Sequence, residues 1–181
     1  MRKLLLAAAV AVLGCGGEGG NSTVVTDYTP NFVGRWDGTS VVVLNGQSIN
    51  SPGAYIHVFA TGTNALSIHD VCRDGSGPSA TVTDANDFTM VGVNCPAVAI
   101  SSCSSVSFSL ASGGTGSLAN GQLTATLTGV ITGCGSTYPI TFTFRGTRTS
   151  TSPTAAADQN VAGIRNDRVG GNLLQGVEIP F

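Results

Sequence analysis

The residues of this sequence best suited to chemistry are two histidines and a few acids that the strand pattern brings close together. His57 and His69 fall at partner positions of one predicted β-hairpin, on its outer face, near enough to share a metal ion. Asp70 and Asp74 follow in the next loop, beside Cys72. Two imidazoles without a carboxylate or thiolate partner seldom bind a metal specifically, so we predict no metal site.

A histidine next to an aspartate is also found in hydrolytic sites, and His69-Asp70 has this arrangement. No Gly-x-Ser-x-Gly turn accompanies the pair to supply a nucleophile. Solvated loop acids are the ordinary explanation for Asp70 and Asp74. We therefore predict no catalytic residue and no cofactor. A cell-surface hydrolase acting through His69, Asp70 or Asp74 stays as an alternative function.

The N-terminus has the pattern of an export signal. Arg2 and Lys3 precede an apolar run, Leu4 to Leu13, that is too short to span a bilayer as a helix. The run ends in Val-Leu-Gly-Cys at Cys15, which resembles the lipobox of bacterial lipoproteins. The resemblance implies cleavage of residues 1–14, a lipid anchor on the Cys15 thiol and, because Gly16 is not aspartate, the outer membrane.

Composition divides the remaining chain into three parts. Residues 15–31 are rich in Gly, Ser, Thr and Asn and predict a flexible tether, residues 32–149 predict a β domain, and residues 150–181 predict a partly disordered tail. Only 10% of residues are charged and the formal net charge is −2. No basic patch is therefore available to neutralise a phosphate backbone, and we expect no nucleic-acid partner.

The cysteines predict disulfides rather than a metal centre. With Cys15 lipidated, Cys72, Cys95, Cys103 and Cys134 remain, and an even number in an exported chain implies two bridges. Pairs that flank a single hairpin favour Cys72–Cys95 with Cys103–Cys134. Cys95–Cys103 with Cys72–Cys134 is the alternative. No Cys-x-x-Cys spacing is present to indicate a metal site.

The elements that must position these residues are organised around one long hairpin, Ser104 to Cys134, folded about Asn120-Gly121. Apolar residues fall on even positions before the turn and on odd positions after it, which indicates strands with one wet face. In a two-residue type I′ turn, paired residue numbers sum to 241 and the two apolar sets meet. The glycine-rich stretch Gly113 to Gly116 interrupts the first strand and predicts a bulge.

Similar hairpins before and after this one bring the count to about eight strands in succession. This predicts an all-β fold, an antiparallel up-and-down barrel, with a β-sandwich as the alternative. Short turns should lie at one end, the proximal end, which carries the tether: Gly62 to Asn64, Asp84 to Asn86 and Asn120-Gly121. Longer loops should lie at the distal end: Asn45 to Gly53, Cys72 to Pro78, Cys95 to Cys103 and Gly133 to Tyr138.

Gly34-Arg35-Trp36 near the start of the first strand resembles the Gly-x-Trp signature of lipocalin and calycin barrels. In those barrels an arginine of the last strand packs across the tryptophan and closes one end. Arg148 shares the parity of the apolar residues in the last strand, whereas Arg145 does not, so Arg148 is the expected partner of the indole. The resemblance thus implies a barrel-closing set of Gly34, Trp36 and Arg148.

Taken together, these features favour a lipoprotein with a structural or binding role. The bulky residues predicted for the interior would fill a barrel of eight strands, so the distal loops are the expected contact surface for a protein or a small apolar ligand. Binding of a small apolar ligand inside a calycin-like barrel is the alternative that the resemblance implies.

Overall fold

A computed structural model describes residues 25–100 and 103–153. The described residues form one short 3₁₀ helix, Thr29–Asn31, and ten strands. The strands are β1 Gly34–Leu44, β2 Gln47–Gly62, β3 Ala65–His69, β4 Ser79–Val82, β5 Asp87–Met90, β6 Val93–Ile100, β7 Cys103–Leu110, β8 Gly114–Ala119, β9 Gln122–Gly133 and β10 Ser136–Ser150.

Eight of these strands close into an antiparallel barrel, as the sequence predicts. Hydrogen bonds join β10, β1, β2, β3, β4, β5, β8 and β9 in that order, and a further pairing of β9 with β10 completes the ring. The remaining two strands, β6 and β7, form a hairpin that extends the sheet through the pairing of β7 with the second half of β9. The prediction of a loop from Cys95 to Cys103 is therefore wrong, because most of this range lies in β6.

The long hairpin has the predicted turn, but its first strand is interrupted at residues 111–113, whereas Gly114 to Gly116 of the predicted bulge are paired within β8. Asn120 and Gly121 both have positive φ, 51° and 75°, as a type I′ turn requires. Leu118 pairs with Leu123 in the expected register, and beyond Gly113 the register shifts by two, so that Leu110 pairs with Gly129. A shift of two preserves the face of every side chain, so the apolar sets still meet.

The distal end has fewer loops than predicted. The loop predicted for Asn45 to Gly53 is wrong, because Asn45-Gly46 forms a tight turn with φ of 51° and 77°, and β2 begins at Gln47. Pro52 is tolerated within β2 because this half of β2 pairs with β1 on one side only, and Gly53 is a bulge with φ of 76°. Gly133 to Tyr138 is likewise a tight turn rather than a loop.

The inside of the barrel is filled by apolar side chains. Many of the strand residues that point inward are large and at most 5% exposed, among them Ile56, Leu66, Phe88, Leu127 and Phe142. The outward positions of the neighbouring strands β8, β9 and β10 carry mostly serine and threonine. Alternation of this kind buries one face of each strand and leaves the other to water.

The proximal end is closed by the chain before β1. Phe32 is fully buried and meets Phe88 edge to face at 5.2 Å. Asn64 in the β2–β3 turn accepts a hydrogen bond from the Tyr28 amide at 2.8 Å, and Asn31 donates to the Ala85 carbonyl at 2.8 Å. The described residues of the predicted tether, 25–31, thus pack against two proximal turns.

Candidate functional site

The longest described connection, residues 70–78 between β3 and β4, crosses a gap in the wall of the barrel and is called the seam loop. The first half of β2 pairs only with β1 among the described strands, and β6 pairs only with β7. The seam loop is fastened to both sides of this gap. Its Asp70 contacts His57 of β2, and its Cys72 forms a disulfide with Cys95 of β6, with 5.3 Å between Cα atoms.

Hydrogen bonds within the seam loop fix its path. The Asp70 amide donates to the Gly75 carbonyl at 2.9 Å, and the Cys72 amide donates to the Ser76 carbonyl at 2.8 Å. Val71 and Cys72 are buried, at 3% and 1% exposure. The loop therefore seals the gap with its own apolar side chains instead of with a strand.

His57 is the buried polar residue that contacts the seam loop. Its Nδ1 lies 2.6 Å from Asp70 Oδ2, its side chain is 1% exposed, and that of Asp70 is 22% exposed. When the Asp70 carboxylate is ionised it only accepts hydrogen bonds, and Nδ1 of His57 is then the donor. His57 Nε2 has no hydrogen-bond partner among the described residues and is buried.

This arrangement corrects two expectations. His57 and His69 are cross-strand partners as predicted, but His57 is buried beneath the seam loop and does not lie open on the surface. Asp70 pairs with His57 rather than with its chain neighbour His69, whose ring lies against Phe59 at 4.7 Å. The sequence could not show this, because Asp70 turns back at a positive φ of 67°.

A network of three side chains lies on the outer wall beside the seam loop and consists of Arg35, Asp37 and Tyr55. None of the three is predicted from the sequence as a site residue. Arg35 forms an ion pair with Asp37 at 2.9 Å, and its guanidinium lies 4.5 Å from the centre of the Tyr55 ring. The Tyr55 ring meets the edge of His57 at 5.5 Å. In the sequence, only the odd residue numbers of Arg35, Asp37 and Tyr55 indicate that their side chains point outward. We call the outward set of Arg35, Asp37, Tyr55, Phe59, His69 and Asp70 the β1–β3 patch.

The electrostatics of the β1–β3 patch favour ionised acids. Burial of Asp37 opposes ionisation, but hydrogen bonds from Arg35 and the Thr149 hydroxyl, together with the Arg35 charge, hold the pKa of Asp37 below its ordinary value. In the seam loop, the hydroxyl of Ser76 is the main cause of a lowered pKa at Asp74, against a smaller opposing effect of burial. Both carboxylates are therefore charged well into the acid range.

The contact between Trp36 and Arg148 that the sequence predicts is present. Trp36 and Arg148 are cross-strand partners, and the Arg148 guanidinium lies 4.8 Å from the centre of the indole ring. The Trp36 indole donates to the Phe32 carbonyl at 2.8 Å. Gly34 has a φ of 139°, and a Cβ there would come within 2.1 Å of the Ser150 carbonyl oxygen.

The three cysteines whose side chains are described are disulfide-bonded. Cys72–Cys95 is one of the favoured pairs, and Cys134 is also disulfide-bonded. The structure describes the backbone of Cys103 but not its side chain, and Cys15 lies outside the described residues. No group of three or more metal-ligating side chains occurs within 25–100 and 103–153. No described helix has the length and apolarity to cross a membrane.

Two other features bear on the alternatives. No serine or cysteine among the described residues hydrogen bonds to His57 Nε2, so the His57–Asp70 pair has no adjacent nucleophile there. A shallow depression of about 480 Å³ lies on the wall rather than inside the barrel, lined by residues that include Val43, Val130 and Pro139.

Comparison with known proteins gives one distant likeness. No family model matches the chain, and no curated protein matches it. The chain is similar to a crystal structure from Bacteroides fragilis of a protein provisionally named an outer membrane protein, with a TM-score of 0.43 and 10% sequence identity. The alignment covers 67% of this chain and 52% of that one, so this chain spans about half the length of that protein. A likeness at this level does not assign a function.

Proposed function

We propose that this protein is an exported lipoprotein, anchored in the outer membrane through Cys15, that acts as a binding protein. Its contact surface is the β1–β3 patch together with the seam loop. Of the four distal loops expected from the sequence, this keeps only Cys72 to Pro78, within the seam loop, because two of the others are tight turns and one is mostly a strand.

The observation that carries the proposal is the double attachment of the seam loop. A contact surface gains affinity when its loop is already held in one conformation, since less entropy is lost on binding. The seam loop is held to β6 by a covalent bond and to β2 by a charge-assisted hydrogen bond to a buried imidazole. A barrel with a filled interior supplies a rigid support for such a surface.

The distribution of side chains supports attachment through a lipid rather than through the barrel itself. Membrane-spanning barrels present an apolar band outward and a polar interior. This barrel has the reverse distribution. Its interior is apolar, and its outward positions carry polar side chains such as the cross-strand neighbours Thr115, Thr126 and Thr143. Nine residues, and thus ten residue-to-residue steps, lie between Cys15 and Val25. They would keep the proximal end within about 35 Å of the membrane.

The anchor is tested with Cys15→Ala in the full chain, expressed in a Gram-negative host. We expect the wild-type protein to fractionate with the outer membrane and to carry the mass of a lipid, and the variant to lose both. Recovery of unlipidated wild-type protein in the periplasm would overturn the anchor.

The contact surface is tested separately by photo-crosslinking in intact cells. A photoreactive amino acid at Arg73 of the seam loop should give adducts with a binding partner, and the same amino acid at Thr126, on the opposite wall, should give none. Equal adducts at both positions, or adducts at neither, would overturn the assignment of the surface.

A further inference from the structure

The β1–β3 patch differs in chemistry from the rest of the outer surface. Tyr55 and Phe59 point outward on β2, whereas the other aromatic side chains of the described residues pack in or against the core. The large apolar side chains that are exposed within the described ranges are Val25, Val91 and Val130, on three separate segments. A protein interface is usually centred on a contiguous apolar cluster, and these valines do not form one.

The patch carries one guanidinium and two carboxylates, and each of these groups already has a partner. Arg35 and Asp37 pair with each other at 2.9 Å while their side chains stay 30% and 35% exposed. Asp70 adds one carboxylate that is already engaged by His57. An anionic ligand would meet both carboxylates, and a cationic ligand would meet a guanidinium. A neutral ligand rich in hydroxyl groups meets donors and acceptors without a net charge against it.

The two outward rings of the patch are spaced along one strand. Tyr55 and Phe59 are four residues apart, which places them about 13 Å apart on the same face of β2. Each ring is held by a neighbour, Tyr55 by the Arg35 guanidinium and Phe59 by His69. Sugar rings have apolar C–H faces that pack on aromatic rings, and their hydroxyl groups hydrogen bond to charged side chains at the edges.

We infer that the β1–β3 patch binds a neutral oligosaccharide that covers both Tyr55 and Phe59. The inference rests on the proposed function, because it assigns a partner class to the same surface. Carboxylates on either side of the rings would accept hydrogen bonds from sugar hydroxyls, and Arg35 would donate to them.

The inference is tested by affinity electrophoresis of the full chain in gels containing neutral polysaccharides, namely dextran, galactomannan, xylan or hydroxyethyl cellulose, with alginate as the anionic comparison. We expect retardation by at least one neutral polysaccharide and none by alginate. Tyr55→Ala and Phe59→Ala should each weaken that binding about tenfold, since each removes one stacking ring. Thr126→Ala, on another wall, should leave it unchanged.

Tyr55→Phe is the control for misfolding, because this variant keeps the aromatic ring and should keep most of the affinity. Absence of retardation by every neutral polysaccharide would overturn the inference, as would binding that is unchanged in both alanine variants, or binding to alginate alone. A protein crosslinked at the seam loop with no retardation by any polysaccharide would leave the proposed contact surface standing and overturn only the sugar assignment.

Discussion

Replacing Asp70 by asparagine should loosen the seam loop while leaving the barrel intact. Asparagine keeps the shape and the tolerance for the positive φ of 67° at this position, but it removes the charge that faces His57. Hydrogen bonds to charged groups contribute about 1.5–3 kcal/mol and neutral ones about half as much, so the loss should be about 1 kcal/mol. The 22% exposure of Asp70 keeps the expected loss at the low end of that range.

The measurement is amide hydrogen exchange of residues 70–77 by mass spectrometry, together with urea denaturation. A loss of about 1 kcal/mol in local stability should accelerate exchange in the loop about fivefold. Asp74→Asn is the matched control, because Asp74 lies in the same loop but accepts its hydrogen bonds from the amide and the hydroxyl of Ser76 rather than from His57. Its exchange should stay near the wild-type rate.

A double-mutant cycle separates the pair from other effects. His57→Phe keeps a ring of similar size in β2 and removes Nδ1, so Asp70→Asn should have little further effect on loop exchange in that background. If Asp70→Asn and Asp74→Asn accelerated exchange equally, or if the two changes at positions 57 and 70 were additive, the contact would not hold the loop and the reasoning would be refuted.

Three further predictions concern the closure of the barrel and its charges. Gly116→Ala places a Cβ within 1.9 Å of a buried phenylalanine ring and should lower stability to urea by about 1–3 kcal/mol, whereas Gly62→Ala, with its nearest atom at 3.8 Å, should change it little. Replacing Cys72 and Cys95 by serine opens a link of sequence separation 23 and should cost about 3 kcal/mol in the same assay. Because the pKa of Asp37 is lowered on folding, the ionised side chain contributes stability above the ordinary carboxyl pKa of about 4, and this contribution is lost as the pH falls further. Asp37→Asn should therefore lower the stability of the protein at pH 7 and make no difference in strong acid. Thermal unfolding measured across pH checks this.

The strand pattern was sufficient to predict most of the barrel. Alternation around Asn120-Gly121 fixed both the turn and the inward face, and parity alone selected Arg148 as the partner of Trp36. These features follow from the period of two in a strand, which any sequence displays directly. The same Asn-Gly signal occurs at Asn45-Gly46, but the nearby Pro52 and Gly53 favour a loop there.

The candidate site was less accessible from sequence because it depends on the path of a loop. No periodicity describes residues 70–78, so the contact between Asp70 and His57, thirteen positions apart, could not be read from spacing. The β1–β3 patch depends on which outward side chains of three strands become neighbours. That requires the registers of β1 with β2 and of β2 with β3 together, including a shift near Gly38 and another near Gly62.

The position of β1 has a mechanical consequence. In the proposed lipid-anchored protein, the chain from Cys15 would enter at the proximal end. β1 is hydrogen bonded along its length to β10 on one side and β2 on the other. When a bound partner holds the wall and the membrane moves away, tension on the tether would load these two ladders in shear. Many hydrogen bonds must then break together rather than one after another, which suits an attachment that has to bear force.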